Sequence, residues 1–487
     1  MDPVAFAAYL DDDSRRGEPV PGAARGSAGG AACGDLISLS LRLDGGSVTD
    51  VRIDASGCGA ARAAAAAAAE LLDGATLHEA GLLDGAAVAA ALGGLSPVGT
   101  HAADLAAEAA HRALGVAVAG AAEPILPPPG EGCERVLVAV SGGVDSAVAA
   151  LRERERGADA IAVTLELWSD PANDGERSCC SADAVRVARS VAQAQGIPHL
   201  TVDLRESFRA GVVEPFLAGY AAGETPNPCV RCNGRVRIAP MIAIAERLGA
   251  AGLATGHYAR TRDDGDGALL TAAADPAKDQ TYMLAGLPPE ALAKLRFPLG
   301  GLTKPEVREI ARTAGLAVAD KAESQDLCFL AGVGKAGFLA RHGGLADRDG
   351  EIVDSEGNVV GRHSGHHRFT VGQRRGLGIA SPEPLYVIAT DATANRVVVG
   401  GSAELDTRRV RIRDAVLHRP ADRVGSVRLR YRARPLACRV GGSGQVPGPG
   451  ACERLELELD DPAQAAAPGQ TAVLCDGDLV VGHGTIA

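Results

Sequence analysis

The sequence lacks the features that would direct it into or across a membrane. It contains no run of about 18 apolar residues, which is the length that a membrane-spanning helix requires. Its first residues, MDPVAFAAYLDDDS, are acidic, so the basic segment that opens a secretory signal peptide is missing. The cysteine count, 11, is odd. Without an export signal we therefore expect a cytoplasmic protein with no membrane partner, in which clustered cysteines serve metal or sulfur chemistry.

Positive charge is also scarce, because the formal net charge is −12 at pH 7. This balance disfavours non-specific nucleic-acid binding by the whole surface, although a local basic patch could still bind. Between Arg408 and Arg439, 11 arginines stand against two aspartates, and we name these residues the arginine strip. It predicts a nucleic-acid contact centred on Arg430 and Tyr431. A solvated arginine face without a ligand is the alternative.

A phosphate-binding turn is the clearest feature present. VLVAV at 136–140 is apolar and mostly β-branched, as in a buried strand, and SGGVDS at 141–146 leads into an alanine-rich helical pattern. Such a turn points backbone N–H groups and the positive end of the helix dipole at one bound phosphate. Glycines allow close approach of the anion, and the absence of Gly-Lys-Ser/Thr excludes a Walker-type loop. SGGVDS resembles the PP-loop of enzymes that split ATP into AMP and pyrophosphate.

Strands and helices alternate after Cys133. Apolar strands are predicted at 160–168, 199–204 and 253–258, with a helix at 181–195. The pattern indicates a parallel sheet with helices on both faces, whose ligands bind at the carboxyl ends of the strands. The residues expected to bind ATP there are Ala139, Val140, Ser141, Gly142, Gly143, Val144, Asp145, Ser146, Leu165 and Gly256.

The predicted fold class is multidomain. An α+β unit at 1–120 is followed by a proline-rich linker at 121–132, which predicts a stiff spacer that holds its neighbours apart. The α/β PP-loop unit at 133–333 comes next. Helical periodicity ends beyond Val333, so 334–400 is expected to be a small β-rich middle domain. Residues 401–487 read as strands throughout and predict a closed β-barrel that contacts nucleic acid.

The first unit combines a hairpin turn with two long helices. Asp44-Gly45-Gly46 separates two roughly alternating stretches, and helices are predicted from Cys58 to Leu72 and from Thr100 to Leu114. Cys-Gly-Asp at 33–35, Gly-Cys-Gly at 57–59 and Pro97-Val98 shortly before His101 resemble the NifU/IscU-type iron–sulfur scaffold.

That resemblance implies metal ligands. The residues at the family's ligand positions are Cys33, Asp35, Cys58 and His101. Ala102 stands where the family has its third cysteine, which accepts sulfur. A docking module with two leftover cysteines is therefore the alternative to a cluster-assembling scaffold.

Two cysteine groups occur in loops of the PP-loop unit. TPNPCVRCN at 225–233 contains a C-x-x-C, but no second pair completes a zinc site. ESQDLCF at 323–329 offers one cysteine before a phenylalanine, for which a core position is the alternative.

Six motifs in order resemble the tRNA-specific 2-thiouridylases (MnmA family) over residues 135–487. They are SGGVDS, TPNPCVRCN, ATGHYAR, KDQTYML, ESQDLCF and RFTVGQRRGLGI. The family adenylates the C2 oxygen of the wobble uridine and then substitutes sulfur. By motif, Cys232 would be the nucleophile and Cys328 the persulfide carrier, although an aspartate is frequent where Cys229 stands. The residues implied to contact tRNA are Asn227, Pro228, Cys229, His257, Lys278, Asp279, Gln280 and Gln373.

The expected reactants are ATP with Mg²⁺, tRNA, and a sulfur donor such as a cysteine desulfurase. Adenylation suits the chemistry because oxide is a poor leaving group, and a soft thiol suits the attack on C2. A persulfide relay through Cys232 and Cys328 and a [4Fe–4S] cluster on Cys229, Cys232 and Cys328 are both open. Two further readings are another PP-loop tRNA-modifying ligase and an iron–sulfur assembly protein with a vestigial ATPase.

Overall fold

The structure is a computed structural model that describes residues 2–30, 34–97, 99–170, 182–322, 327–441 and 447–487. No helix within these ranges is long and apolar enough to cross a membrane. The N-terminal unit packs helices against an antiparallel sheet of order β1-β2-β3. Its elements are α1 (Pro3–Asp11), β1 (Ala24–Gly29), β2 (Leu36–Asp44), β3 (Ser47–Ser56), α2 (Gly59–Leu72), α3 (Leu77–Gly81), α4 (Gly85–Ala91) and α5 (Thr100–Gly120).

The hairpin turn and the two long helices predicted for this unit are confirmed. The turn between β2 and β3 has positive φ angles at Gly45 (57°) and Gly46 (86°), which glycine tolerates. The buried face of α2 consists almost entirely of alanine, so this helix lies close to the sheet. Helix α5 continues beyond the predicted end at Leu114 to Gly120, because small and apolar residues persist through 115–120.

The PP-loop unit contains the predicted parallel sheet, whose strand order is β10-β7-β4-β5-β6. Its strands are β4 (Arg135–Ala139), β5 (Asp159–Glu166), β6 (His199–Asp203), β7 (Gly252–Thr255) and β10 (Leu295–Arg296), while β8 (Arg260–Asp263) and β9 (Ala268–Thr271) form a separate hairpin. Its helices are α6 (Val144–Glu155), α7 (Ala182–Ala194), α8 (Arg205–Phe208), α9 (Glu214–Ala221), α10 (Pro228–Cys232), α11 (Ile238–Arg247), α12 (Thr281–Leu284), α13 (Pro289–Leu292) and α14 (Lys304–Thr313). Two π-helical turns, Arg209–Val213 and Asn233–Arg237, follow α8 and α10.

A helix of the N-terminal unit covers one face of this sheet. Helices α6 and α7 pack on one face, whereas α11 packs on the other face with α5 beside it, along β6. The approach is close, because a Cβ on Gly115 would lie 1.8 Å from the carbonyl oxygen of Thr201. The two units therefore share one continuous hydrophobic core.

The linker prediction was wrong, since residues 121–132 do not hold the two units apart. Leu126 is buried, and the amide of Ile125 donates to the carbonyl of Arg247 at 2.8 Å. The three consecutive prolines at 127–129 are exposed or half-buried, and the two units touch through α5. Apolar residues on α5 outweigh the spacer preference of the proline run, because burying them stabilises the docked arrangement.

The expectation that helical structure ends beyond Val333 was also wrong. Helix α15 spans Gly334–Gly343 and packs against α9, with Arg341 and His342 both on the buried carboxylate of Asp170. Its glycine-rich sequence has a low helix propensity, so the helix depends on tertiary contacts for its stability. The small β-sheet that follows has the order β12-β11-β14-β13. Its strands are β11 (Gly350–Val353), β12 (Val359–His363), β13 (Tyr386–Asp391) and β14 (Arg396–Gly400).

The predicted C-terminal barrel is confirmed. Six strands close on themselves in the order β15-β18-β17-β16-β19-β20, with β20 returning to β15, and the β8–β9 hairpin extends the sheet from β20. The strands are β15 (Asp406–Leu417), β16 (Ser426–Arg428), β17 (Leu436–Val440), β18 (Gly450–Gln464), β19 (Thr471–Asp476) and β20 (Leu479–Ile486). Arg419 and Arg423 both bind Asp264 of the hairpin, at 2.5 and 2.7 Å, which ties the barrel to the PP-loop unit.

Replacing Gly115 with alanine should destabilise the PP-loop unit, although alanine is the better helix former by about 1 kcal/mol. The added methyl would meet the backbone of Thr201, so we expect a loss of about 1–3 kcal/mol in unfolding free energy. Urea unfolding followed by fluorescence measures this in the PP-loop unit, because Trp168 is the only tryptophan. Gly120→Ala on the same helix is the matched control, since no atom lies within 4 Å of its Cβ position. Equal transitions for the two variants would contradict the docking.

Candidate functional site

A cavity of about 390 Å³ opens at the carboxyl ends of β4 and β5. The predicted site residues that line it are Ala139, Val140, Ser141, Leu165, Pro228, Cys229, Cys232, His257, Gln280, Cys328 and Tyr431. They come from sequence positions almost 300 residues apart, and Tyr431 comes from the barrel. A larger groove of about 680 Å³ lies between α6, α7 and the end of α14 and contains none of the predicted site residues.

The two cysteine motifs meet in this cavity. Asn227 caps α10 by accepting the amides of Cys229 (3.1 Å) and Val230 (3.3 Å), and the resulting short helix carries Cys229 and Cys232. Cys232 is buried, whereas Cys229 and Cys328 are half-buried. Thiols that differ in solvent exposure but line the same cavity can act one after the other on one bound substrate.

The loop with Cys328 is anchored by its neighbour. The ring of Phe329 is 1% exposed and packs on Phe208, Phe216 and Phe338 at centroid distances of 5.1–5.7 Å. The sequence left a core position open for Cys328. In the structure Phe329 takes the core position, while Cys328 lines the cavity. Glu323 to Asp326 of the same motif lie outside the described residues.

The cluster alternative would use Cys229, Cys232 and Cys328 as its ligands, and all three line this cavity. Within the described ranges, the structure groups no three His, Cys, Asp or Glu side chains closely enough to hold a metal ion.

The PP-loop has the form of an anion-binding turn. Ser146 fixes it, since its hydroxyl accepts from the Ser141 amide (3.1 Å) and donates to the Gly143 carbonyl (3.0 Å). Gly142 has φ +69° and lies against α7, so it must be glycine, whereas a Cβ on Gly143 would meet nothing closer than 3.7 Å. Gly256 lets β7 approach α6, because its Cβ would lie 2.7 Å from the Ser146 amide. The space beside Gly143 is therefore free for a ligand.

Two lysines at this loop were missed by the sequence reasoning. Lys304, at the start of α14, places its Nζ 2.6 and 2.8 Å from the carboxylate oxygens of Asp145, which also accepts from the Tyr258 hydroxyl at 2.8 Å. Lys321 donates to the Gly142 carbonyl at 3.0 Å. Both lie more than 150 positions from the loop, and no local pattern marks them. Asp145 thus accepts hydrogen bonds from Lys304 and Tyr258 at the start of α6.

His257 and Gln280 form another wall of the cavity. The His257 Nδ1 lies 3.0 Å from the Thr255 hydroxyl, and burial together with nearby Arg237 lowers the pKa of His257 to about 3. Its ring is neutral at pH 7, so it can offer a hydrogen bond but not a positive charge. The Gln280 side-chain oxygen accepts the Tyr258 amide at 2.9 Å, which fixes its amide group towards the cavity.

The remaining predicted tRNA contacts lie outside the cavity. Asp279 accepts the Ala273 amide at 2.9 Å and pairs with Arg428 at 3.4 Å, so its carboxylate serves the fold. Gln373 caps its own turn through Arg375, and Lys278 is half-buried beside Asp279. None of these observations tests a contact with RNA.

The arginine strip does not form one positive surface, contrary to the sequence interpretation. Seven of its arginines pair with carboxylates of the described residues within 4.0 Å: Arg409, Arg411, Arg413, Arg419, Arg423, Arg428 and Arg439. Arg409, Arg411 and Arg413 alternate with buried residues and so lie on one face of β15, where acidic neighbours meet them. Arg408, Arg430, Arg432 and Arg434 have no such partner among the described residues. The last three flank Tyr431 in the β16–β17 connection at the cavity, and we name 430–434 the basic loop.

Comparison with known proteins identifies the family. The chain is 43% identical to the bifunctional protein NifU/MnmA of Rubrobacter xylanophilus, over 95% of this chain and 93% of that protein. This chain belongs to the bifunctional NifU/MnmA family. Other relatives of the NifU/MnmA chain lack its N-terminal part, such as the tRNA-specific 2-thiouridylase MnmA of Geobacter metallireducens. That protein is 42% identical over 72% of this chain and 96% of its own length.

Family models match the NifU/MnmA chain in four segments. They are the NifU-like N terminal domain at 11–117, the tRNA methyl transferase HUP domain at 134–332, the tRNA methyl transferase PRC-barrel domain at 336–401 and the aminomethyltransferase beta-barrel domain at 411–486. Among solved structures, a putative iron–sulfur cluster assembly scaffold protein from Fervidobacterium islandicum is 17% identical over 23% of this chain and 93% of its own, with a TM-score of 0.20. A 4-thiouridine synthetase–RNA complex with bound ATP is 21% identical over 42% of this chain and 47% of its own, with a TM-score of 0.27. Both scores are too low to carry an argument.

The NifU-like part brings together two of its four predicted ligands. Asp35 accepts from the Cys58 amide at 2.7 Å and from its thiol at 3.3 Å. Gly57 makes this possible, because a Cβ there would lie 2.1 Å from the Asp35 carboxylate. His101 is exposed at the start of α5, Ala102 is buried, and Cys33 lies outside the described residues.

Proposed function

We propose that this NifU/MnmA chain thiolates C2 of the wobble uridine of tRNA at the expense of ATP, as an AMP- and pyrophosphate-forming sulfurtransferase. The observation that supports this best is the single cavity in which the end of the PP-loop strand faces Cys232 and Cys328. An amide-forming PP-loop ligase needs no thiols there. A vestigial ATPase would not need the ordered loop with its two lysines.

The first half of the reaction uses the PP-loop. ATP binds with its phosphates beside Gly143, at the N-terminus of α6. Lys304 and Lys321 supply positive charge as pyrophosphate leaves. Mg²⁺ would find Asp145 as the carboxylate at the loop and would neutralise phosphate charge. Attack by the C2 oxygen of uridine on the α-phosphorus gives the adenylated base.

The second half uses the two thiols. The terminal sulfur of a Cys328 persulfide bonds to C2, and AMP leaves with the oxygen. The thiolate of Cys232 then attacks Sγ of Cys328, which breaks the persulfide bond, leaves sulfur on C2 and forms a Cys232–Cys328 disulfide. A thiol reductant must return both cysteines to the reduced state. Cys229 lines the cavity without a step of its own, next to Asn227 and Pro228, which we propose to contact the base.

The tRNA is proposed to reach the cavity across the basic loop, with Lys278, His257, Gln280 and Gln373 along its path. The NifU-like part would supply sulfur or iron–sulfur cargo that comes from a donor such as a cysteine desulfurase. Its Asp35–Cys58 pair supports a cargo role. The cargo itself would be substrate rather than a resident cofactor.

Gly143→Ala should abolish adenylation without unfolding the chain. The methyl group would occupy the space that we assign to phosphate, and displacing the reacting groups by about 1 Å costs roughly 100-fold in rate. Pyrophosphate release in the presence of tRNA is the measurement. Gly130→Ala in the linker is the matched control, since nothing lies within 4 Å of its Cβ position. Undiminished release from Gly143→Ala would refute the phosphate assignment.

Arg432→Gln combined with Arg434→Gln should weaken tRNA binding and flatten its salt dependence. Each lost phosphate contact removes roughly 0.7–0.9 from the slope of log K against log salt. Filter binding across a salt series measures the slope. The control is Arg409→Gln with Arg411→Gln, on the same barrel but paired with Glu456. A slope that changes equally in both double variants would place the RNA elsewhere.

Cys328→Ser and Cys232→Ser should each abolish thiolation while pyrophosphate release continues, because adenylation needs neither thiol. Nucleoside mass spectrometry of the tRNA gives the readout. Cys229→Ala should retain most activity. The anaerobically purified protein should lack the broad absorption of thiolate-bound iron at about 400 nm. A brown protein that Cys229→Ala bleaches and inactivates would restore the cluster alternative.

A further inference from the structure

The wall of the cavity formed by β5 and β6 rests on the N-terminal unit. Val163, Thr164 and Leu165 of β5 line the cavity next to the PP-loop strand. β6 is the edge strand of the sheet and has only β5 as a neighbour. Helix α5 packs against β6 and reaches the end of β5 through Arg112, which binds Glu166. The position of this wall thus depends on the contacts that α5 makes with β5 and β6.

Arg112 of α5 forms an ion pair at the end of β5. Its Nε donates to both carboxylate oxygens of Glu166, at 3.1 and 3.2 Å, and one terminal nitrogen reaches the same group at 2.6 Å. Glu108, one turn earlier on α5, contacts the same guanidinium at 2.6 Å. Both glutamates are at most 7% exposed. A forked guanidinium between two buried carboxylates fixes position as well as charge, because its donors are planar and rigid.

His111, the preceding residue, begins a second connection. Its Nδ1 lies 2.8 Å from the carbonyl oxygen of His199 at the start of β6. The His199 Nε2 donates to the Thr164 hydroxyl at 2.8 Å, and that hydroxyl donates to the Val140 carbonyl at 3.1 Å. All three side chains are fully buried or nearly so. The chain of hydrogen bonds ends on the residue immediately before the PP-loop.

From these two connections we propose that Arg112, supported by His111, is a positioning residue for the nucleotide site. The inference rests on the proposed ATP-dependent function. The NifU-like part is then not only a carrier of cargo but a component of the nucleotide site, which holds Leu165 and Val140 in register.

Neighbouring charges explain why arginine is needed. Removing the guanidinium would take away the counter-charge that contacts both buried glutamates, Glu166 and Glu108. Buried carboxylates without a partner are strongly destabilising, so the end of β5 would shift or take up protons. Lysine keeps the charge but not the fork, so it should restore only part of the effect.

The experiment compares Arg112→Met, Arg112→Lys and Glu166→Gln in the full chain, with Arg25→Met as the matched control. Arg25 lies in the same unit, but its ion-pair partner is the exposed Asp54 at 3.8 Å, which is not part of the cavity wall. The first measurement is the Kd of a fluorescent, non-hydrolysable ATP analogue with Mg²⁺. The second is the KM for ATP and kcat of pyrophosphate release with tRNA.

Arg112→Met should raise the analogue Kd and the ATP KM about tenfold, and kcat at saturating ATP should change less than about twofold. Arg112→Lys should recover part of this loss, and Arg25→Met should show none of it. A merely structural role would lower the active fraction, and hence kcat, without raising Kd. If Arg112→Met fails to fold, the isosteric Glu166→Gln variant carries the same expectation.

The outcomes separate the two proposals. Analogue binding in Arg112→Met and Glu166→Gln that equals the Arg25→Met control overturns the positioning role, whatever the activity. Normal analogue binding by the unmodified chain without tRNA-dependent pyrophosphate release overturns the proposed function instead. The analogue Kd of the variants still decides the positioning role in that case. An unmodified chain that binds no analogue overturns both.

Discussion

The close packing of α5 on the edge of the parallel sheet is the contact on which the rest of the structure depends. A sheet of this class buries both faces, and each face needs a helical layer. Here α11 covers only part of one face, and a helix from the preceding unit completes it. Gly115 permits the approach, since any side chain would strike the Thr201 backbone. Separating the two units would expose the apolar faces of β5 and β6 to water.

This packing changes how the chain should be viewed. A flexible tether would raise the local concentration of one site at the other and leave both units independent. A shared core instead couples their stabilities, because a change in α5 alters the unfolding free energy of both units. It also fixes the direction from Cys58 to the cavity, so the cargo proposed for the NifU-like part would have to travel by a mobile cysteine or a bound partner, not by free diffusion of the unit.

The sequence was informative wherever the signal is local. The strand before SGGVDS and the turn at Gly45-Gly46 each depend on a few adjacent residues, and the structure contains both. It failed where a distant residue decides. Lys304 and Lys321 become partners of the PP-loop only through the fold, and the paired arginines of the barrel look free when their carboxylates are far away in sequence. Helix α15 is a similar case, since its contact with Asp170 outweighs poor helix propensity.

The reduction of the arginine strip to the basic loop resolves the conflict between an acidic protein and a polyanionic substrate. Paired arginines contribute little field at a distance, because an adjacent carboxylate cancels their charge. Three of the four arginines that have no carboxylate partner among the described residues stand beside Tyr431, whose ring lines the cavity and lies 5.2 Å from the guanidinium of Arg432. If tRNA docks there as proposed, this positive charge would attract it to the cavity, while the acidic remainder would repel it in other orientations. Net negative charge would then favour productive docking over non-specific binding.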